Sequence, residues 1–272
     1  MSAIKLLALD IDGTILTTDK KLTIRTRKAM EEAIAREIKI VLVTGRPLYG
    51  IPEDLLEIPG LDYAISSNGA VTTDLRTNTA LRRANLDADT ALNIVEIPRK
   101  LDLIYAVFID GVGYSELEPY ERHLKLIQNK PVETYIRKSR RITNHMDYMI
   151  QNALYGVENI WLIAHDTGDR DFLCHEITEK WNVHTVLTAA QYLEIGHPAA
   201  DKGIAVLDLA EHLQVRNEQI MAIGDNGNDI SLLKCAGTSV AMGNASDEIK
   251  AIADFITIAN DEDGAAIVIE ML

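Results

Sequence analysis

The chain has 272 residues, enough for one large domain or two of ordinary size, and its 47% of hydrophobic residues excludes a disordered protein. Acidic residues outnumber basic ones by 41 to 27, and the net charge of −14 argues against nucleic acid or an anionic membrane surface as a partner. A cation is the expected ionic partner. No apolar run is long enough to span a membrane, no secretory signal is recognisable, and the two cysteines lack metal-binding spacing, so we expect a soluble cytoplasmic protein.

An apolar run near the N-terminus leads into two acidic residues separated by one position. Residues 6–9 are Leu-Leu-Ala-Leu, typical of a strand buried on both faces of a parallel sheet, and Asp10 and Asp12 follow at its carboxyl end. Side chains two positions apart in an extended chain share a face, so both carboxylates can point into one site. Ligands bind beyond the carboxyl ends of the strands in open parallel sheets, which favours a functional site over a solvated turn.

The next segments continue as a helix and a second strand. Thr23 is placed to cap the helix, and residues 38–43 form a β-branched apolar run that ends in Thr44-Gly45-Arg46. Two parallel strands joined by a helix form a right-handed crossover. Thr44 should therefore lie at the same sheet edge as Asp10. Pro47 is expected to open a further helix.

The character of the strands divides the chain into a core and an insert. Strands buried on both faces are predicted before residue 83 and again at 220–223 and 239–242, whereas residues 84–190 contain half-polar strands and amphipathic helices. This pattern favours an inserted α+β domain with an antiparallel sheet packed on helices. The core domain would then consist of residues 1–83 and 191–272. Its third strand, at 63–66, leads into a predicted hairpin at Ser67-Asn68-Gly69-Ala70.

A second acidic cluster follows the strand at 220–223, in the segment Gly224-Asp225-Asn226-Gly227-Asn228-Asp229. If this strand neighbours the first, Asp225 approaches Asp10 and Asp12, and three like charges need a compensating cation. Carboxylate oxygens with no His or Cys nearby suit Mg²⁺, which keeps several waters and leaves room for a phosphate oxygen. Asp229 is open to two interpretations, since a short acidic residue at a helix start also serves as an N-cap. Lys202, at a predicted helix start, can supply the fixed positive charge that a phosphate dianion requires.

Four motifs stand in the order used by the haloacid dehalogenase (HAD) superfamily of phosphatases, which the chain resembles over nearly its whole length. They are Asp10-Ile11-Asp12-Gly13-Thr14, Thr44-Gly45-Arg46, Lys202-Gly203 and Gly224-Asp225-Asn226-Gly227-Asn228-Asp229. Two further segments resemble signatures of the Cof-type, YidA-like branch: Ser67-Asn68-Gly69-Ala70 and Asn260-Asp261-Glu262-Asp263-Gly264-Ala265. Asp201 departs from the family's pattern, which more often has Ser or Asn before the lysine.

The resemblance implies an α/β fold with a Rossmann-like parallel-sheet core and an inserted α+β cap domain of type IIB. It also implies Mg²⁺-dependent hydrolysis of a small phosphorylated metabolite such as a sugar phosphate. Asp10 would be the nucleophile that forms an aspartyl-phosphate, and Asp12 the general acid and base. Mg²⁺ would be bound by Asp10, the Asp12 backbone carbonyl and Asp225, with Asp229 in support. The residues expected to bind phosphate are Thr44, Gly45, Lys202 and Asn228.

Two other functions fit parts of this pattern. A sugar phosphomutase would share the aspartyl-phosphate and a similar cap but would release little free phosphate. A receiver-type phosphoacceptor signalling domain also combines acids, a threonine and a lysine around Mg²⁺, although such domains are half this size and carry the acceptor Asp on a later strand. No residue identifies the substrate, and the basic segment 137–141 is expected to be a solvated face more often than a substrate contact.

Overall fold

The computed structural model describes residues 3–272, and the chain forms two compact units. The core unit contains the chain up to Gly45 together with Ile51–Arg82 and Asp201–Leu272, and the insert unit contains Arg46–Gly50 and Arg83–Ala200. The insert was predicted at residues 84–190, and the observed segment is longer at its C-terminal end, where it extends to Ala200. The difference arises because the strand Tyr192–Gly196 pairs within the sheet of the insert unit.

The described chain contains both strands and helices. The strands are β1 (Leu6–Asp10), β2 (Lys39–Val43), β3 (Tyr63–Ser66), β4 (Val71–Asp74), β5 (Thr79–Arg83), β6 (Ile104–Ile109), β7 (Val112–Ser115), β8 (Arg140–Ile142), β9 (Asn159–Ile163), β10 (His184–Ala189), β11 (Tyr192–Gly196), β12 (Ile220–Gly224), β13 (Thr238–Ala241) and β14 (Phe255–Ile256). The helices are α1 (Ile24–Ala35), α2 (Glu53–Leu56), α3 (Ala88–Lys100), α4 (Leu117–Leu126), α5 (Lys130–Ser139), α6 (Met146–Gln151), α7 (Thr167–Lys180), α8 (Lys202–His212), α9 (Ile230–Cys235), α10 (Asp247–Ile252) and α11 (Gly264–Glu270).

An eight-stranded sheet with the order β14-β13-β12-β1-β2-β3-β4-β5 forms the centre of the core unit. The strands from β14 to β3 run parallel, and β3 turns back into β4 as the predicted hairpin. In the register, Asp10 stands beside Val43, and Leu9 stands beside Ile223. The carboxyl ends of β1, β2 and β12 therefore meet at one edge, as the sequence predicted.

The central strands of the core sheet are apolar on both faces and are therefore buried on both faces. Every residue of β1, β3 and β12 is buried, because helices cover the sheet. The helix after β1 begins as predicted, since the Thr23 side chain accepts a hydrogen bond from the Thr26 backbone nitrogen. After Pro47 the structure has only a short 3₁₀ helix, Leu48–Gly50, in place of the predicted longer helix. Pro52 limits its length, because the residue before a proline disfavours the helical conformation.

The insert unit contains a six-stranded sheet with the order β10-β11-β9-β6-β7-β8. The pairs from β10 to β7 are antiparallel, as predicted, and the β7–β8 pair is parallel. The prediction of half-polar strands was wrong for β6 and β9, in which every residue is buried. Apolar side chains cover both faces of this sheet. The larger cluster is shared with α3, α6 and α7, and a smaller one on the opposite face consists of Ile104, Ala106, Phe108, Trp161 and Ile163.

The basic segment 137–141 divides between solvent and interior. Arg137, Lys138 and Arg141 are exposed, in agreement with a solvated face. Arg140 is buried, with its guanidinium 4.4 Å from the Phe108 ring centroid, so a cation–π contact offsets part of the cost of burial. Among residues 3–272, no helix is long and apolar enough to cross a membrane.

Candidate active site

Asp10 is the last residue of β1, and its side chain is buried at the carboxyl edge of the core sheet. The Lys202 Nζ donates a hydrogen bond to Asp10 Oδ1 at 2.6 Å. Burial and the nearby carboxylates of Asp229 and Asp225 raise the pKa of Asp10 well above its usual value, although Lys202 acts in the opposite direction. A carboxylate at this position needs positive charge close to it.

Lys202 supplies part of that charge from the first turn of α8. Its side chain is 0% exposed, and Nζ also donates to Asp229 Oδ1 at 2.6 Å. Burial alone would lower the pKa of Lys202, but the carboxylates of Asp10 and Asp229 outweigh it and hold the pKa above its usual value. Asp201, which departs from the family pattern, caps α8 by accepting from the Ile204 backbone nitrogen at 2.9 Å.

Asp229 closes the turn that follows β12. Its Oδ2 accepts from the backbone nitrogens of Asp225 at 3.0 Å and Asn226 at 3.1 Å, while its Oδ1 accepts from Lys202. Asp229 stands at the N-cap position of α9 but makes no side-chain cap bond to that helix, whereas its carboxylate completes the capping box of the preceding 3₁₀ turn, Gly227–Asp229. Its carboxylate fixes the backbone of Asp225 and the position of Lys202.

Asp225 lies beside Gly13, at the edge where β12 and β1 end. Thr14 Oγ1 donates to Asp225 Oδ1 at 3.0 Å, and Asn244 Nδ2 donates to Oδ2 at 3.3 Å. Gly13 has a φ of +86°, and a Cβ there would come within 2.8 Å of Asp225 Cγ. Glycine is therefore required both by the backbone conformation and by the approach of the carboxylate. Burial, followed by the charge of Asp229, raises the pKa of Asp225 to about 7.

The three carboxylates form one acidic cluster that fits a divalent cation. Asp10, Asp225 and Asp229 each offer an oxygen, and these oxygens lie within 4.8 Å of one another. An all-oxygen donor set suits a hard cation such as Mg²⁺. The raised pKa values of Asp10 and Asp225 show that their charged forms are unfavourable without a cation, and a bound cation would favour those charged forms.

Asp12 lies in the loop after β1 and is only partly buried. The Lys20 Nζ donates to Asp12 Oδ1 at 2.8 Å, and the two side chains are 28% and 34% exposed. Asp12 thus keeps access to solvent while Asp10 does not. Such a position suits a group that exchanges protons with substrate and water.

Three of the four residues predicted to bind phosphate, Thr44, Gly45 and Asn228, lie next to Asn68 in the turn after β3. The Thr44 backbone nitrogen donates to Ile65 O at 2.9 Å, and the Asn68 backbone nitrogen donates to Thr44 O at 3.0 Å. Asn228 Nδ2 donates to Asn68 Oδ1 at 3.1 Å. A Cβ on Gly45 would lie 3.0 Å from the same Oδ1. Asn68 therefore connects three residues that were predicted to bind phosphate.

Sequence reasoning missed four side chains of the site: Thr14, Lys20, Asn68 and Asn244. Thr14 and Asn68 belonged to recognised motifs without a role of their own. Asn244 follows β13, whose carboxyl end lies at the same sheet edge, so the strand-end rule could have found it. Lys20 lies within a turn, and no periodic signal marks it.

Comparison with known proteins identifies the family of the chain. The family model of haloacid dehalogenase-like hydrolases matches residues 7–269. The chain belongs to this family. As a haloacid dehalogenase-like hydrolase, it has the expected Rossmann-like core with an inserted second unit.

Relatives of this hydrolase match it over nearly its full length. YxeH of Bacillus subtilis is 32% identical over 273 residues, 96% of each chain. A second Bacillus subtilis protein, named 5-amino-6-(5-phospho-D-ribitylamino)uracil phosphatase YwtE, is 28% identical over 292 residues, 98% of each chain. The solved structure of BT4131, described as a HAD subclass IIB sugar phosphatase, superposes with a TM-score of 0.82 at 22% identity and covers 98% of both chains, which shows a shared fold.

Proposed function

We propose that this hydrolase is a Mg²⁺-dependent phosphatase that removes the phosphate group from a small phosphorylated metabolite through an aspartyl-phosphate on Asp10. The observation that carries the proposal is the buried Asp10 carboxylate, held 2.6 Å from Lys202 within an acidic cluster at the carboxyl edge of the sheet. A site of this kind combines a nucleophile with positive charge for a phosphate dianion.

Asp10 attacks the phosphorus in line, and the bond between phosphorus and the ester oxygen breaks. Asp12 donates a proton to the departing oxygen, so that the product leaves as an alcohol. In the second step Asp12 takes a proton from water, which attacks the aspartyl-phosphate and releases inorganic phosphate. Asp12 ends each turnover in the state in which it began.

Lys202 neutralises charge on Asp10 and on the transferring phosphoryl group from a position that packing fixes. Thr44, Gly45 and Asn228 would bind phosphate oxygens through hydroxyl, backbone and amide donors, and their common neighbour Asn68 supports this proposal. Asp10, the Asp12 carbonyl and Asp225 would hold Mg²⁺, and Asp229 would support them through Lys202 and the Asp225 backbone. The ion, when bound, neutralises charge between the nucleophile and the phosphate.

The substrate class is a phosphomonoester of a small metabolite, with sugar phosphates as the first group to test. The names of YwtE and BT4131 support this choice, since one acts on a phosphoribityl compound and the other on a sugar phosphate.

A screen of phosphorylated metabolites for release of inorganic phosphate, in Mg²⁺ and in chelator, tests the proposal. We expect turnover of at least one sugar phosphate that requires Mg²⁺ and is absent in Asp10→Asn. Conversion to an isomeric sugar phosphate with little free phosphate would identify a phosphomutase instead. A stable phosphoprotein without turnover would identify a phosphoacceptor domain.

A further inference from the structure

We propose that Lys20 is a positioning residue that holds Asp12 in place for proton transfer, and that the segment Asn260–Gly264 fixes the loop that carries Lys20. The inference rests on the proposed function, because it assigns Lys20 a part in the same reaction. The segment 260–264 stood out in the sequence, and none of the roles described above uses it.

The first observation is the geometry of the Lys20 contact. Its ammonium lies 2.8 Å from Asp12 Oδ1, whereas the neighbouring Lys21 is 75% exposed and reaches only Asp19, at 4.0 Å. A long flexible side chain loses conformational freedom when it is held in one place. The Lys20 contact is therefore the product of a backbone that directs this lysine, and not its neighbour, towards Asp12.

The second observation is the backbone of the turn. Lys20 has a φ of +59°, a left-handed conformation that is unfavourable for a residue other than glycine. Its backbone nitrogen donates to Thr17 O at 2.8 Å, and the Thr17 nitrogen donates to Lys21 O at 3.0 Å. These two bonds close a turn that persists despite the unfavourable φ.

The third observation is that the segment 260–264 ties this loop down at three points. Asn260 Nδ2 donates to Leu16 O at 2.9 Å, and Asp261 accepts from both the nitrogen and the hydroxyl of Thr18 at 2.8 Å. Thr23 Oγ1 donates to Asp263 Oδ1 at 2.5 Å. The loop is thus held before, within and after the Lys20 turn.

The same segment is also joined to the acidic cluster. The Asn260 backbone nitrogen donates to Asn244 Oδ1 at 3.0 Å, and Asn244 Nδ2 donates to Gly13 O and to Asp225 Oδ2. The positions of Asp12 and Asp225 are therefore fixed by one connected set of hydrogen bonds. The rate of proton transfer falls steeply when the donor is misplaced, so the reaction requires precise placement of Asp12.

The test compares Lys20→Met with the matched control Lys21→Met on two substrates. One is p-nitrophenyl phosphate, whose leaving group needs no proton, and the other is an alkyl phosphate from the metabolite screen, whose leaving group does. We expect Lys20→Met to lower kcat on the alkyl ester roughly tenfold and on the aryl ester less than about twofold. Lys20→Arg should recover most of the loss, and Lys21→Met should behave as wild type.

A double-mutant cycle and a second variant complete the test. In an Asp12→Asn background, Lys20→Met should cause no further loss, because Lys20 acts through Asp12. Thr18→Val, which removes one hydrogen bond to Asp261, should lower kcat on the alkyl ester in the same direction but by less, with an unchanged melting temperature.

Three results would overturn the inference: equal losses on both esters, additive losses in the cycle, or wild-type kinetics in Lys20→Met. Those results leave the proposed function intact as long as Asp10→Asn is inactive. Absence of phosphate release by the wild-type protein would instead reject the proposed function itself.

Discussion

Replacing Lys202 with methionine tests the electrostatic balance of the acidic cluster. The substitution keeps the length of the side chain but removes the ammonium that lies 2.6 Å from both Asp10 and Asp229. All three side chains are nearly inaccessible to solvent, at 0%, 6% and 0% exposed, so water cannot replace the lost charge. Loss of one partner from a buried ion pair costs about 3–5 kcal/mol. We expect the free energy of unfolding in chelator to fall by that amount.

The assay is urea denaturation followed by circular dichroism, with wild type and Lys234→Met, an exposed lysine on α9, as references. Both tryptophans, Trp161 and Trp181, lie in the insert unit, so their fluorescence reports separately on that unit. Mg²⁺ should reduce the deficit, since a cation at the cluster restores positive charge next to the carboxylates. If Lys202→Met were as stable in chelator as Lys234→Met, to within about 1 kcal/mol, the ammonium of Lys202 would not be needed to balance the buried carboxylates.

The remaining predictions concern the metal, the turn after β1 and the proton donor. The pKa of Asp225 is raised to about 7 in the metal-free protein, so a proton competes with the cation below that pH. Calorimetry should find Mg²⁺ binding about tenfold weaker at pH 6 than at pH 8, and equal affinities would contradict the assignment. Because the pKa is raised in the folded state, metal-free protein should also lose stability as pH rises from about 4 to 7, and Mg²⁺ should reverse that loss. Gly13→Ala should weaken Mg²⁺ binding and cost about 1–2 kcal/mol of stability, because the added Cβ would collide with the Asp225 carboxylate and the φ is positive. A variant with wild-type affinity for Mg²⁺ would show that the close approach of Asp225 to Gly13 is not needed. Asp12→Asn should slow an alkyl phosphate more than p-nitrophenyl phosphate, and equal loss on the two would argue against a proton donor.

The sequence was sufficient to predict the core fold because its strands are uninterrupted apolar runs that end in polar residues. Residues 6–9 and 220–223 fitted buried strands of this kind, and the parallel crossover rule then predicted Asp10 and Thr44 at one edge, as the register confirms. The acidic cluster followed from the same reasoning, since Asp225 directly follows the second strand.

The insert was harder to predict because its burial depends on tertiary packing. The strand β9 lies in a segment that the sequence predicted to be half-polar, yet every residue of the strand is buried, including its one polar residue, Asn159. Asn159 is satisfied there by a hydrogen bond to Glu194 at 2.8 Å. Arg140, taken as part of a solvated run, is buried against Phe108 for a reason that only the folded sheet supplies.

The partners of long-range hydrogen bonds could not be read from the sequence around each residue. Asn244 meets Gly13 across 231 positions, and Asn68 meets Asn228 across 160. Lys20 reaches Asp12 through a left-handed turn that neither hydrophobic periodicity nor turn composition indicates. Such contacts are decided by the packed structure, not by the order of residue types.

The identity of the nucleophile is tested most directly by mass spectrometry of protein that is acid-quenched during turnover of a phosphomonoester in Mg²⁺. We expect that a peptide containing Asp10 gains the mass of one phosphoryl group, that the gain is absent in chelator, and that Asp10→Asn shows none. Phosphoryl transfer to another residue, or steady phosphate release by Asp10→Asn at the wild-type rate, would contradict it.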